Sequence, residues 1–139
     1  MANLTARVNA ELENIERALT EIPSYDKLHK LSTLELAGVA TFLHNFYNGI
    51  ENILKQILID RNIQIPELST WHRDLLNIAA AKNIISDSTK ISLGEYLAFR
   101  HFFSHSYALD LYPYKMEPLV EKVDDILKIF QSEISKSIQ

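Results

Sequence analysis

Arg100 and His105 stand five residues apart in the stretch RHFFSHSY, residues 100–107, which sets a guanidinium, two imidazoles, serine hydroxyls and a phenol among phenylalanines. These side chains suit reaction at phosphorus. Attack of a ribose 2′-OH on the adjacent phosphate needs a group to take the 2′ proton and a group to protonate the leaving oxygen. It also needs positive charge on the developing phosphorane. An imidazole near its free pKa moves protons at neutral pH, and a guanidinium holds two phosphate oxygens at once. The chemistry requires no metal.

The spacing poses a geometric problem. At about 100° per residue, Arg100 and His105 stand ~140° apart around a continuous helix. Two arrangements bring them to one phosphate. Either the helix ends near Ser104 so that His105–Tyr107 turns back, or two copies of the chain face each other across a two-fold axis and supply the groups in trans. In the second arrangement two Arg100 and two His105 line one cleft, so a single sequence position provides both acid and base. An unpaired Arg buried among phenylalanines is costly, so Arg100 is expected to line a wet cleft that admits an anion.

The elements that must position these groups read as helices. Leu4, Val8, Leu12, Ile15, Leu19 and Ile22 recur at spacings of three and four until Pro23, which predicts a first helix of about twenty residues. From Leu31 to Leu58 the apolar positions run on without a proline, a long second helix with Ser32 or Thr33 as its cap. After NIQIPELST, Ser69 or Thr70 can cap a short third helix, WHRDLLNIAAAKN. SDSTK then caps a fourth starting near Ile91, and the fourth carries the motif. Pro113 and Pro118 bracket the start of a fifth, with Leu119, Val123, Ile126, Leu127, Phe130 and Ile134 as its apolar stripe. Nothing alternates as a strand would. The expected fold is all-α, an up-and-down four-helix bundle with one additional short helix.

Leu93, Tyr96, Leu97, Phe99, Phe102 and Phe103 cover nearly the whole circumference of the fourth helix. One face should meet the core and the other a second subunit, giving a homodimer; a helix wrapped by its own bundle is the alternative.

Composition sets the outer limits. One domain, residues 1–139, is expected, able to bury about two-thirds of the surface of its unfolded chain. No apolar run approaches the ~18 residues of a membrane span, so a soluble, unprocessed chain that does not engage a membrane is expected. The absence of cysteine excludes disulfides and Cys-based metal sites and fits a cytoplasmic location. The net charge of −4, from 14 Lys+Arg against 18 Asp+Glu, counts against a broad nucleic-acid clamp. It leaves room for a local site that handles one phosphate.

RHFFSHSY matches R-x-x-x-x-H-x-Y and resembles the signature of HEPN-domain ribonuclease toxins of the HepT type. FYNGIENILKQI on the second helix, WHRDLL opening the third and YPYKMEPLVEKV opening the last also look like that group, so the resemblance covers most of the chain. Such toxins are partnered, in two-gene bacterial toxin–antitoxin modules, with a minimal nucleotidyltransferase (MNT) antitoxin. The resemblance implies an HEPN-like bundle and a metal-independent endoribonuclease, without cofactor, that cleaves tRNA or mRNA and leaves a 2′,3′-cyclic phosphate. It makes Arg100 and His105 the catalytic pair at a dimer cleft, and Tyr107 the tyrosine that accepts AMP from the antitoxin. A higher assembly of homodimer and antitoxin is compatible with it. Adenylylation two residues from His105 would bring negative phosphate and bulk into an RNA cleft, a sensible off-switch.

Other residues carry competing readings. His101, Ser104, Ser106 and Tyr112 are candidate substrate contacts. His101 and His105 form an i, i+4 pair that could hold zinc, but with no third ligand nearby a surface or interface His is the simpler reading. Glu51 could point into the bundle and pair with Arg100, or be exposed. His72 and Asp74 most simply belong to a helix N-terminus, where Asp suits the dipole. Tyr112 and Tyr114 could stack a base; packing of the loop against the bundle is simpler. Two rival functions stay open: a non-catalytic HEPN-like module that binds or regulates a nucleotidyltransferase, and an oligomerising helical protein in which the motif is chance.

Overall fold

Each helix begins and ends where local chemistry stops it. The structure, a computed structural model, describes residues 3–105 and 110–138. Its elements are α1 (Leu4–Thr20), a 3₁₀ turn (Tyr25–Lys30), α2 (Thr33–Asp60), α3 (Trp71–Ala81), α4 (Asp87–His105) and α5 (Pro113–Ile134). The chain is all-α, with no strand among the described residues.

Asn3 caps α1, its side-chain oxygen accepting from the Ala6 N–H at 2.8 Å. Ser32, one of the two expected caps, closes a capping box on α2. Its hydroxyl accepts from the Glu35 N–H at 3.1 Å, and the Glu35 carboxylate accepts from the Ser32 N–H at 3.0 Å. That backbone hydrogen bond holds the Glu35 carboxyl below its ordinary pKa. α2 and α3 both end in Schellman turns, with Asn62 (φ 58°) and Asn83 (φ 59°) left-handed just past the cap. The Ile63 N–H reaches back to the Leu58 carbonyl and the Ile84 N–H to that of Ala79, each at 2.9 Å.

Three features differ from expectation. α4 starts at Asp87 rather than near Ile91, because the Ser86 hydroxyl accepts from the Thr89 N–H at 3.1 Å and so nucleates the first turn at once. Pro113 is the first residue of α5, but Pro118 lies inside it rather than at its start. Pro118 is exposed, so the Tyr114 carbonyl it leaves without an N–H partner lies on the solvent side of the helix. The 3₁₀ turn follows Pro23 and packs on α5, burying Leu28 completely.

α2 is the central element and packs against all four other helices. Phe46, Tyr47, Ile50, Ile53, Leu54, Ile57 and Leu58 are fully buried along it. Burial of each such side chain is worth roughly 1.5–3 kcal/mol. On α4, Leu93, Tyr96 and Phe99 are buried, and Leu97, Phe102 and Phe103 are half-buried against the same core. The apolar circumference expected to face a second subunit is thus largely covered by the chain's own helices. The exposed residues of α4 include Ile91, Glu95, Ala98, His101 and His105. The Tyr96 hydroxyl donates to the Leu119 carbonyl at 2.6 Å and ties α4 to α5; burial holds this phenol well above its ordinary pKa.

α1 lies so close to α2 that a Cβ on Gly49 would overlap the Ile15 side chain, falling 2.7 Å from its Cδ1. Ile15 is itself buried and has no room to withdraw. Gly38, about three turns before it on α2, has open space where its Cβ would be. Gly49→Ala is therefore expected to destabilise the fold, the ~1–3 kcal/mol of overpacking outweighing the ~1 kcal/mol gained in helix propensity. Gly38→Ala should instead stabilise it by about 0.5–1 kcal/mol. Urea midpoints moving in opposite directions for the two variants would bear this out.

Candidate functional site

The charged groups of α2, α3 and α4 meet at one carboxylate. Glu51 lies on the core face of α2 and is only 2% exposed. Its Oε1 accepts from Arg100 Nη1 at 3.0 Å, and its Oε2 lies 2.8 Å from His72 Nδ1. Of the two sequence readings for Glu51, the inward one holds. His72 occupies the first turn of α3, as expected, but its side chain turns to this carboxylate. Asp74 instead accepts from the Thr70 hydroxyl at 2.9 Å.

The three side chains leave a conflict at one atom. Arg100 Nη1 also lies 3.0 Å from His72 Nδ1. A ring nitrogen either donates its hydrogen or offers its lone pair, and a guanidinium can only donate. With a buried carboxylate at 2.8 Å, the donor form of Nδ1 satisfies the contact that burial makes costly to lose. Arg100 then directs its hydrogen at Glu51, and the His72 lone pair moves to Nε2.

Behind this cluster, on α2, sit His44 and Tyr47. His44 Nδ1 and the Tyr47 hydroxyl are buried without a well-formed hydrogen bond among the described residues. Burial, aided by the Arg100 charge, holds the His44 imidazole below its ordinary pKa. Burial, with the Glu51 carboxylate, holds the Tyr47 phenol far above its own.

In front of the cluster is a shallow cleft of about 160 Å³ lined by His72, Leu97, Arg100, His101, Ser104 and His105. α4 is helical through His105, so Arg100 and His105 do not meet through a turn at Ser104, and the Ser106–Tyr107 part of that reading lies outside the described residues. Arg100 and His105 instead stand at the two edges of one broad face, with Ser104 and His101 between them. Arg100 is half-buried and reaches the cleft from its anchor. His101 and His105 are exposed, their ring centroids 4.5 Å apart. The Ser104 hydroxyl donates to the Arg100 carbonyl at 2.9 Å, within the helix. The His72 ring lies against that of Trp71, tilted by 32° with centroids 3.6 Å apart, and Lys55 Nζ lies 4.1 Å from the centre of the Trp71 ring.

Of the expected site residues, Arg100, His101, Ser104 and His105 share the cleft, and Tyr112 lies outside it. Ser106 and Tyr107 fall outside the described residues. No group of three or more His, Asp or Glu side chains is placed to hold a metal among the described residues. The part of His72 was not anticipated. Its one available signal was a histidine beside a tryptophan directly after a capping threonine.

Among the described residues the chain is all-helical with R-x-x-x-x-H-x-Y beginning on the penultimate helix, which is consistent with an HEPN-like helical protein. The model for the family of HepT-like proteins matches residues 38–139, and the chain belongs to that family. No curated protein and no solved structure matches it.

Two outcomes test the site's electrostatics. Glu51→Gln removes the countercharge of Arg100 and is expected to cost about 1.5–3 kcal/mol in urea unfolding. Part of that loss should return in Glu51→Gln/Arg100→Gln, whereas strictly additive costs would show that the pair is not coupled. His44 gives a pH signature. Its lowered pKa means that the unfolded chain binds this proton more readily than the folded one. The stability it contributes is full above the ordinary histidine value of about 6.5 and is lost as pH falls below it. Between pH 7 and 5 the melting temperature of the parent should fall more steeply than that of His44→Gln.

Proposed function

We propose that this chain is the toxin of a HEPN/MNT toxin–antitoxin system, an endoribonuclease that cleaves tRNA or mRNA without a metal. The observation that carries the reading is the convergence of Arg100, His101, Ser104 and His105 on one cleft, with Arg100 anchored from behind by buried Glu51. In this scheme His105 takes the proton of the ribose 2′-OH. The 2′ oxygen bonds to phosphorus, the bond from phosphorus to the 5′ oxygen breaks, and a protonated imidazole delivers a proton to that leaving oxygen. The products are a 2′,3′-cyclic phosphate and a 5′-hydroxyl. Arg100 neutralises the phosphorane, and its fixed position means that little reorganisation is needed as charge develops. His101 and Ser104 are placed to contact the strand.

The second imidazole would come from a second copy. We take the working form to be a homodimer paired across the exposed face of α4, which brings two Arg100 and two His105 to one cleft. Tyr107 is the proposed regulatory position. Its phenol oxygen would attack the α-phosphorus of ATP on an MNT antitoxin and release pyrophosphate, and the resulting AMP would block the cleft. No helix among the described residues is long and apolar enough to cross a membrane, which accords with a chain that works on RNA in the cytoplasm.

One observation favours the non-catalytic alternative, a helical module that binds or regulates a nucleotidyltransferase: an Arg tied to a buried Glu is also what a purely structural Arg would show. The deciding experiment is cleavage of total RNA in EDTA by protein whose Tyr107 is verified unmodified by mass spectrometry. Wild type should cut and leave cyclic-phosphate ends. His105→Ala and Arg100→Ala should each lose about 100-fold or more. Because each cleft needs an imidazole from both copies, excess His105→Ala mixed with wild type should depress activity below the share of wild-type protein present. RNA left intact by wild type would discard the nuclease in favour of the binding module.

A further inference from the structure

Tyr112 and Tyr114 flank Pro113 at the start of α5, next along the chain from the motif. Their rings are nearly parallel, 16° apart, with centroids separated by 5.8 Å. They are 46% and 66% exposed, so packing of the loop against the bundle does not account for them. The core contacts of this region are made by Leu111 and Met116 instead. Lys115 completes the patch. Its ammonium lies 4.1 Å from the centre of the Phe102 ring and 5.4 Å from that of Tyr112. Phe102 is on α4 between Arg100 and His105, so Lys115 bridges the tyrosine pair to the helix that carries the cleft.

The stacked tyrosine pair keeps exposed ring surface beside a cation, which suits an unpaired nucleobase and a neighbouring phosphate. A base stacks on a phenol ring whatever its sequence, and a lysine partly fixed by ring contacts meets the phosphate with little further ordering. A duplex hides its base faces and cannot use such a surface. In a chain of net charge −4, a local cation is also what an RNA strand would need in order to settle there.

We infer that Tyr112, Tyr114 and Lys115 form a binding site for single-stranded RNA, the tyrosines stacking unpaired bases and Lys115 holding a backbone phosphate. The choice of RNA as ligand rests on the function proposed above. The site extends that reading from a cleavage cleft to a path for the strand beyond it and gives the protein a preference for unpaired substrate.

The test is fluorescence anisotropy with a labelled eight-nucleotide RNA lacking self-complementarity, and with its duplex, on His105→Ala protein so that the strand stays intact. The single strand should bind at least about tenfold tighter than the duplex. Adding Tyr112→Ala and Tyr114→Ala together should weaken single-strand binding by about tenfold or more, with helical content unchanged by circular dichroism. Tyr112→Phe with Tyr114→Phe should retain affinity within about twofold, because the ring faces remain. Lys115→Gln should make the slope of log K against log salt shallower by about 0.7. The inference is overturned if the alanine variant binds as tightly as its parent, if the duplex binds equally well, or if the parent binds no RNA. It is likewise overturned if the alanine variant keeps its RNA affinity but loses a co-expressed nucleotidyltransferase, since the patch would then belong to a protein partner. The two proposals fail separately. Cleavage by wild type with no effect of the tyrosines spares the nuclease and removes this site, whereas tyrosine-dependent binding without cleavage does the reverse.

Discussion

A carboxylate in an apolar interior has to be paired, and in this protein the carboxylate is Glu51. Removing an ion from water costs several kcal/mol even after relaxation, and only well-placed hydrogen bonds and an opposite charge recover it. Glu51 finds them on two different helices, Arg100 on α4 and His72 on α3. The requirement therefore acts on orientation as well as energy. Rotating α4 by even one residue about its axis would carry Arg100 away and leave a buried negative charge. Hydrophobic burial brings the helices together but tolerates sliding; the carboxylate selects one register among the ways in which they could pack.

That register divides α4 into two kinds of surface. Arg100 stands at one edge of the cleft face, held from within, and His105 at the other, free in solvent. The wall behind Arg100 is built from His44 and Tyr47, whose pKa values are displaced toward their neutral forms by burial. A guanidinium with such a backing has its field screened less by water and directed mainly toward the open side. Its pairing with Glu51 cancels the net charge, so what this acidic chain offers at the cleft is a fixed set of guanidinium N–H donors.

Much of the architecture could be read from residue order, because apolar residues at spacings of three and four report a helix wherever they are sustained. Capping serines then mark where α2 and α4 begin, and Pro23 bounds the first helix. The 3₁₀ turn at Tyr25–Lys30 escaped notice because one buried leucine in six residues makes no pattern. The start of α4 was misplaced because the polar run SDSTK reads equally as loop or as first turn, and only the hydrogen bond from Thr89 to Ser86 decides. Arg100 and His105 stood out by type and spacing. Glu51 could be read either way, paired with Arg100 or exposed, since a lone acidic residue in an apolar helix looks the same whether it faces in or out, and the part of His72 was not legible at all. Their partners lie 49 and 21 residues away in the chain, a separation that no local pattern encodes.

The stretch shared with HepT-like proteins begins at residue 38, inside α2, and leaves α1 out. Packing draws the boundary elsewhere. α1 rests on the Gly49 seam, and Arg7 Nε donates to Gln56 at 2.9 Å. The Thr5 hydroxyl reaches the Ile138 carbonyl at 2.6 Å, and Gln131 donates to Glu16 at 3.1 Å, so α1 also touches the far end of the chain. What these contacts ask of α1 is shape and a few polar tips rather than particular residues, with one demand placed on its partner: a position without a side chain at Gly49. A segment cut at residue 38 would begin partway along α2 and bare the face that α1 covers, so the matched stretch is shorter than the packed unit it sits in.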